Sequence, residues 1–219
     1  MKIHIFFLLI TIHTNTVLGL NENYCNEASD ASKVVIAGGS ITEIFYFLEE
    51  QERIIGIDVT SNYPAETKSL PSIGYVRGLS AEGVLSLNPS IIIGEDDMGP
   101  PAVIKQIRET EFDLRIIPES RTLGGIIQKI ECIADILGVS NKSDLIISKE
   151  LEPKIKTIVQ NRKQVIKQGV KVMLVLNMRS SSIIVAGSNT SGDGFINLIG
   201  GNNIFDTFDG WKPVNTESI

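Results

Sequence analysis

The chain contains little histidine, little cysteine and no excess of positive charge. Its 219 residues include two His and two Cys, and 26 acidic against 20 basic side chains give a net charge of −6. A protein that binds nucleic acid through its phosphates needs a basic surface, so this balance argues against that class. Two thiols are too few for a four-sulfur metal site. The length and a hydrophobic share of 42% indicate an ordered, globular chain.

Residues 1–19 have the pattern of a secretory signal peptide. Lys2 precedes an apolar run, Ile3 to Ile12, and small residues stand at the expected cleavage point. The run is too short to span a bilayer, and a buried N-terminal strand is the alternative. Both histidines, His4 and His13, lie in this leader, so the exported chain would contain none. Their loss excludes Ser-His-Asp and Cys-His catalysis and histidine ligands to zinc or haem iron.

The two cysteines remain after export. Cys25 stands in a polar lead over residues 20–32, whereas Cys132 falls in an apolar helical pattern. We therefore expect a buried Cys132 and a mobile Cys25, and the alternative is a disulfide between them in an oxidising compartment.

Short apolar runs alternate with helical patterns over residues 33–140. Four runs rich in Val and Ile predict strands, at residues 33–37, 53–57, 90–93 and 114–117. Continuous apolar strands that alternate with helices are typical of a parallel sheet covered on both faces. The pattern therefore predicts an N-terminal α/β lobe with Rossmann-like architecture.

Residues 141–168 have apolar side chains at helical spacing among many charges. Pro153 lies within this pattern and is expected to kink the helix or divide it in two. We interpret the segment as a helix that links the first lobe to a second parallel α/β lobe over residues 169–219. There, residues 170–176 and 183–186 predict strands, and residues 194–199 a helix.

The second lobe is expected to be truncated. Trp211 to Val214 is interpreted as a loop that leads into a further helix, and the sequence ends before that helix begins. A small second lobe that is naturally complete is the alternative.

Ligands bind beyond the carboxyl ends of strands in open parallel sheets. Asp58, Glu95, Asp96 and Asp97 fall in loops of this kind and are candidates for a calcium site, although three consecutive acids are more typical of a solvated turn. Gly38-Gly39-Ser40 predicts a tight strand-to-helix turn in which Ser40 caps the helix.

Tyr75 and Arg77 lie two residues apart in a segment expected to be extended, so both side chains leave the same face. A phenolate is a hard anionic ligand suited to ferric iron, and tyrosine is a known axial ligand of haem. A nearby guanidinium stabilises the phenolate over the phenol, or pairs with a carboxylate of the ligand. The alternative is a Tyr75 packed under the loop and an Arg77 in an ordinary surface ion pair. Ser80 is expected to cap the helix that follows.

The longer motif Gly74-Tyr75-x-Arg77-x-Leu79-Ser80-Ala81-Glu82-Gly83 resembles the signature of periplasmic haem-binding proteins of bacterial haem ABC importers. Supporting matches such as Gly99-Pro100-Pro101 and Trp211-Lys212-Pro213 extend the resemblance over about residues 33–219. It implies two α/β lobes joined by a long helix, with haem held in the cleft between them. It also implies Tyr75 as the axial iron ligand and Arg77 as its hydrogen-bonding partner or a propionate contact.

Some members of that family carry a histidine on the second lobe, where this chain has Met178 followed by Arg179. A thioether is a poor match to ferric iron opposite a phenolate, so the resemblance implies Met178 as an apolar wall of the haem site. Arg179 is implied as a propionate partner. Members of the family also continue past the position of Ile219.

These expectations combine into a periplasmic solute-binding protein without enzyme activity. It would carry haem to an inner-membrane ABC permease and ATPase, downstream of an outer-membrane haem receptor. A ferric-siderophore or cobalamin binder of the same fold is the alternative. A hydrolase with Ser40 or Ser80 as nucleophile would have to use a lysine as its base, because no histidine remains.

Overall fold

The computed structural model describes residues 24–179 and 182–215, with Arg179 described in its backbone alone. The predicted signal peptide, residues 1–19, lies outside the described residues. The described part of the chain has the predicted α/β class. Within it, no helix combines the length and the apolar character needed to cross a membrane.

The N-terminal sheet contains four parallel strands in the order β2-β1-β3-β4. They are β1 (Val34–Ala37), β2 (Ile54–Ile57), β3 (Ile91–Glu95) and β4 (Asp113–Ile117), each within two residues of its predicted bounds. Val34 pairs with Ile91, and Ile91 pairs with Asp113. Because parallel strands run in the same direction, their carboxyl ends meet at one side of the sheet, which we call the carboxyl edge.

Helices cover both faces of the N-terminal sheet. They are α1 (Gly39–Phe47), α2 (Ala81–Leu85), α3 (Pro101–Arg108) and α4 (Leu123–Ile136). Val34 and Ile36 of β1 pack with α1 and α4 in one core cluster, whereas Val35 packs with α2 and α3 in another. Alternate side chains of a strand point to opposite faces, so a sheet buried on both sides requires the continuous Val/Ile runs that predicted it.

The expectation of a mobile Cys25 is wrong, because Cys25 and Cys132 form a disulfide. Residues 25–28 lie against α4, where the Ala28 amide donates to the carbonyl oxygen of Ile136 at 3.0 Å. Cys25 and Ala28, three residues apart, both pack against the core. The lead is mostly polar, but Cys25 and Ala28 form a short apolar face whose packing holds Cys25 beside α4. The prediction of a buried Cys132 is confirmed.

One continuous helical run connects the N-terminal sheet to the rest of the chain. It consists of α5 (Ser140–Ile146), a π-helical turn (Ile147–Leu151) and α6 (Glu152–Gln168). Pro153 does not divide the run, because the helix continues through it. Proline has no amide hydrogen and its ring crowds the carbonyl four residues earlier, and the wider π turn just before Pro153 relieves both problems. Gly169 ends the helix in the left-handed conformation, with φ of 62°.

The C-terminal residues form two small sheets, and the larger is antiparallel rather than parallel as predicted. The first sheet pairs β5 (Lys171–Val172) with β8 (Asn202–Asn203), and the second has the order β6-β7-β9, from β6 (Val175–Arg179), β7 (Ser182–Ala186) and β9 (Trp211–Val214). Helix α7 (Ser191–Ile199) follows β7. The apolar run at residues 170–176 was expected to be one strand, and it divides between the two sheets. Strand β9 replaces the expected loop, and its edge position tolerates Pro213.

Glu50 ties the end of α1 to the start of the connecting helix. Its carboxylate accepts from Lys142 Nζ at 2.9 Å and from Arg53 Nε at 2.7 Å. Burial alone would raise the pKa of Glu50, but the hydrogen bonds from Lys142 and Arg53 outweigh it and lower the pKa. A lowered folded-state pKa stabilises the protein above the ordinary glutamate pKa. That stabilisation disappears as the pH falls through the folded-state value.

We therefore expect Glu50→Gln to lower the free energy of unfolding by about 1–2 kcal/mol at pH 7. Urea unfolding of both proteins at pH 7 and at pH 3 measures the effect, and the difference should shrink at the acidic pH. Glu49→Gln is the matched control, because Glu49 is exposed and stands 3.6 Å from the same Lys142. A penalty for Glu50→Gln that is equal at both pH values would contradict the ionic role of Glu50.

Candidate functional site

The segment around Tyr75 is fastened to the carboxyl edge of the N-terminal sheet at two points. The amide of Val59, just after β2, donates to Gly74 O at 2.9 Å. Gly99, after β3, exchanges backbone hydrogen bonds with Val76 and Leu79, each at 2.9 Å. Gly74 has φ of 93°, a conformation that residues with a Cβ atom rarely adopt and that glycine adopts readily. Tyr75 therefore lies at the carboxyl edge, where open parallel sheets bind their ligands.

Three buried residues hold this segment down and turn its functional side chains outward. Ile73, Val76 and Leu79 are buried in the core beneath α2 and α3, whereas Tyr75 is 48% exposed and the Arg77 side chain 62%. The Gly78 amide donates to Tyr75 O at 2.8 Å, so the segment bends into a turn here and is not extended as predicted. Tyr75 is not packed under the loop, and its ring remains accessible to a ligand.

Arg77 forms a surface ion pair with a carboxylate, as the alternative for this residue expected. Its Nε and Nη2 both donate to Asp97 Oδ2, at 2.9 and 2.6 Å. The pKa of Arg77 lies above its ordinary value, chiefly because of the hydrogen bond and charge of Asp97, and further because of Tyr75. The structure thus brings the predicted pair Tyr75 and Arg77 together and adds Asp97 to it.

The acidic residues considered for calcium are occupied by other partners. Glu95 accepts from Ser40 Oγ at 2.5 Å, Asp96 accepts from the Glu119 amide at 3.2 Å, and Asp97 accepts from Arg77. Asp58 is buried and accepts from the Gly38 amide at 2.9 Å and from Ser61 Oγ at 2.8 Å. Among the residues that the structure describes, no group of three or more His, Cys, Asp or Glu side chains is arranged to hold a metal ion.

A buried lysine that the sequence did not reveal joins four segments at the carboxyl edge. Lys129 of α4 is 8% exposed, and its Nζ stands 2.6 Å from Ser40 Oγ, 3.0 Å from Glu119 Oε2 and 3.3 Å from Glu95 Oε1. Ser40 lies inside the first turn of α1 and does not cap it, contrary to expectation. Flanked by two carboxylates, the ammonium has the surroundings of a structural cation, whereas a general base needs a neutral amine.

Ser80, the other serine considered as a nucleophile, is a helix cap as predicted. Its Oγ accepts from the Gly83 amide at 3.0 Å at the start of α2. The hydroxyl is thus committed to the backbone of the helix. No described contact gives it a lysine partner.

A groove of about 560 Å³ lies between α1 and α4 at the same edge. Its walls include Phe47, Tyr63 and Ile126, and Lys129 with Glu119 lines its polar end. Neither Tyr75 nor Arg77 lines this groove. The carboxyl edge therefore presents two separate features, the exposed Tyr75 segment and this mostly apolar groove.

Met178 and Arg179 lie at the end of β6, an edge strand of the antiparallel sheet. Met178 is 67% exposed, and no described contact joins it to Tyr75 or Arg77. Exposed Leu176 on the same strand and Phe195 on α7 extend the accessible apolar surface of this part of the chain. Met178, the member of this second pair whose side chain the structure describes, is thus accessible, and its described contacts do not include the first pair.

Comparison with known proteins gives a family match over most of the chain. The family described as periplasmic binding protein matches residues 34–219. The fold is similar to the crystal structure of a periplasmic haem-binding protein from Pseudomonas aeruginosa, with a TM-score of 0.75 and 32% identity. That alignment covers 85% of this chain and 67% of the other.

Two curated relatives are more distant in sequence. An ABC transporter substrate-binding lipoprotein of Bacillus subtilis is 24% identical over 192 residues, which cover 87% of this chain and 60% of the relative. A vitamin B12-binding protein of Vibrio cholerae is 22% identical over 127 residues, which cover 58% of this chain and 46% of the relative. The chain thus spans less than two thirds of the length of these two relatives.

Proposed function

The chain belongs to the periplasmic binding protein family, and from this premise we propose that it binds haem through Tyr75 and supplies it to an ABC importer. The observation that carries the proposal is an accessible Tyr75 beside Arg77 at the carboxyl edge. A solute-binding protein of this kind performs no bond-making chemistry, so the site has only to bind and release its cargo.

The chemistry of Tyr75 suits ferric haem. An ionised phenol is a hard anionic ligand, and tyrosine is one of the axial ligands that hold haem iron. Arg77, two residues along the chain, supplies a positive charge near this ligand oxygen. Both histidines of the chain precede residue 20, so an imidazole ligand is absent from the exported form that we propose. Tyr75 is therefore our choice for the axial ligand.

Further residues are assigned to the haem periphery. We place Met178 against the porphyrin as an apolar contact, since its exposed thioether offers flexible apolar surface. Arg179 follows it on the same strand, and its guanidinium is suited to pair with a haem propionate. Arg77 has the same capacity on the side of Tyr75.

The proposed location and partners follow from the family and the leader. Residues 1–19 are proposed to direct export and then to be removed, which places the protein in the periplasm. There it would receive haem downstream of an outer-membrane receptor and deliver it to an inner-membrane permease and its ATPase. The substrate-binding lipoprotein of Bacillus subtilis, which belongs to an ABC transporter, supports the importer partner.

A cobalamin or ferric-siderophore binder is the second candidate, and the vitamin B12-binding relative favours it. The higher identity to the haem-binding structure and the accessible Tyr75 favour haem. Titration of the purified protein with haemin, cyanocobalamin and a ferric siderophore separates the candidates. We expect a shifted Soret band with haemin, and no displacement of haemin by tenfold excesses of the other two. Binding of cyanocobalamin or the siderophore without a haemin response would refute haem as the cargo.

A further inference from the structure

Asp97 has a position that the motif around Tyr75 does not explain. Two N–H donors of Arg77, Nε and Nη2, converge on the single oxygen Oδ2 of Asp97. The same guanidinium interacts with the Tyr75 phenol. Asp97 thus places a negative charge against Arg77, two residues along the chain from the proposed iron ligand.

The loop that carries Asp97 is held from both sides. Asp96 accepts from the Glu119 amide at 3.2 Å, and the preceding Glu95 is ion-paired with the buried Lys129. On the other side, Gly99 is hydrogen-bonded to Val76 and Leu79 of the Tyr75 segment. These contacts hold the loop of Asp97 in a fixed position relative to the segment that carries Arg77. The charge of Asp97 is therefore a constant part of the site.

We propose that Asp97 makes the site selective for porphyrins with a trivalent central metal, ferric haem above all. This inference rests on the proposed function and names the charge state of its cargo. The Arg77–Asp97 ion pair carries no net charge, so it does not oppose a positively charged porphyrin core. A trivalent metalloporphyrin core carries one positive charge, because the metal exceeds the two negative charges of the porphyrin ring by one.

In Asp97→Asn the positive charge of Arg77 is left unbalanced, and it repels the positive core of a trivalent metalloporphyrin. A divalent metalloporphyrin core is neutral, so the same unbalanced charge affects its binding much less. Asp97 therefore favours the trivalent over the divalent metal. The propionates are the same in both porphyrins and drop out of the comparison. Asp97 lies near the surface, where water and salt screen its charge, so we expect a change of roughly fivefold to tenfold.

The test compares gallium(III) protoporphyrin with zinc(II) protoporphyrin, which have the same ring and neither of which changes oxidation state. Dissociation constants for both are measured by fluorescence titration for wild type and Asp97→Asn. The ratio of zinc to gallium dissociation constants should fall roughly fivefold to tenfold in Asp97→Asn at low ionic strength. Asp97→Glu should retain most of the wild-type ratio, because it keeps the charge.

Asp96→Asn is the matched control. It removes the same charge one residue away, where the carboxylate contacts the Glu119 amide and not Arg77. Its ratio should stay within about twofold of wild type. A ratio that is unchanged in Asp97→Asn, or that falls equally in Asp96→Asn, would overturn the proposal for Asp97. If wild type binds neither of the two porphyrins and does not bind haemin, the proposed function itself is refuted.

Discussion

Haemin is expected to bind the Tyr75→Phe variant about a hundredfold more weakly than wild type, with loss of the tyrosinate charge-transfer absorption. The substitution removes a single oxygen from a side chain that is 48% exposed, so the fold should be retained. The proposed coordinate bond to iron depends on that oxygen, whereas the apolar contacts of the ring remain. Titration followed at the Soret band gives the affinity, and circular dichroism verifies the fold.

Tyr63→Phe is the matched control for this experiment. Tyr63 is also exposed at the carboxyl edge, in the loop after β2, but it lines the groove between α1 and α4 instead of neighbouring Arg77. Its loss should change haemin affinity by less than about threefold. Equal losses in the two variants would show that the carboxyl edge binds haemin as a general aromatic surface, without a specific iron ligand at Tyr75.

Removal of the disulfide by Cys25→Ser should lower the free energy of unfolding by about 3–5 kcal/mol. The bridge joins residues separated by 107 positions, and a cross-link over so long a loop restricts the unfolded chain strongly. Cys25 is the better site for substitution, because Cys132 is buried in the core and its replacement would also disturb packing. Urea unfolding of wild type and variant measures the difference.

Reduction provides the internal control for the disulfide. Dithiothreitol should destabilise wild type to nearly the level of Cys25→Ser and should leave the variant unchanged. If wild type unfolds at the same urea concentration with and without the reductant, while free-thiol titration shows that the bridge is open, the stabilising role of the bridge is refuted.

The N-terminal sheet could be predicted closely because its signal is local. Strands buried on both faces need continuous Val/Ile runs, and residues 33–37 and 90–93 differ little from the strands β1 and β3 that form. The Ser80 cap is equally local, since the hydroxyl bonds an amide three residues away. Tyr75 points outward because its close neighbours in the sequence, Ile73 and Val76, are buried in the core.

The C-terminal sheets show where local patterns become insufficient. An apolar run such as residues 170–176 marks extended chain but does not state which strand it pairs with or in which direction. Strand β7 pairs with β9, whose residues lie more than twenty positions later and include a proline. Such pairing depends on tertiary contacts, so neither the antiparallel order nor β9 itself was apparent from the sequence.

The missed features of the site are long-range contacts between polar side chains. Lys129 meets Ser40 across 89 positions, and Asp97 meets Arg77 across 20. A lysine within an apolar helical pattern can equally lie at the border of the exposed face, so the pattern alone did not identify Lys129 as buried. Only the position of α4 beside the carboxyl edge brings Lys129 against Glu95 and Glu119.

A crystal structure of the haemin complex, with iron located by its anomalous scattering, tests the central claim most directly. We predict iron within coordination distance of Tyr75 Oη, with the Arg77–Asp97 pair beside the phenolate and the porphyrin ring outside the groove between α1 and α4. Iron bound in that groove, or held by Met178 while the Tyr75 hydroxyl stays free, would contradict it.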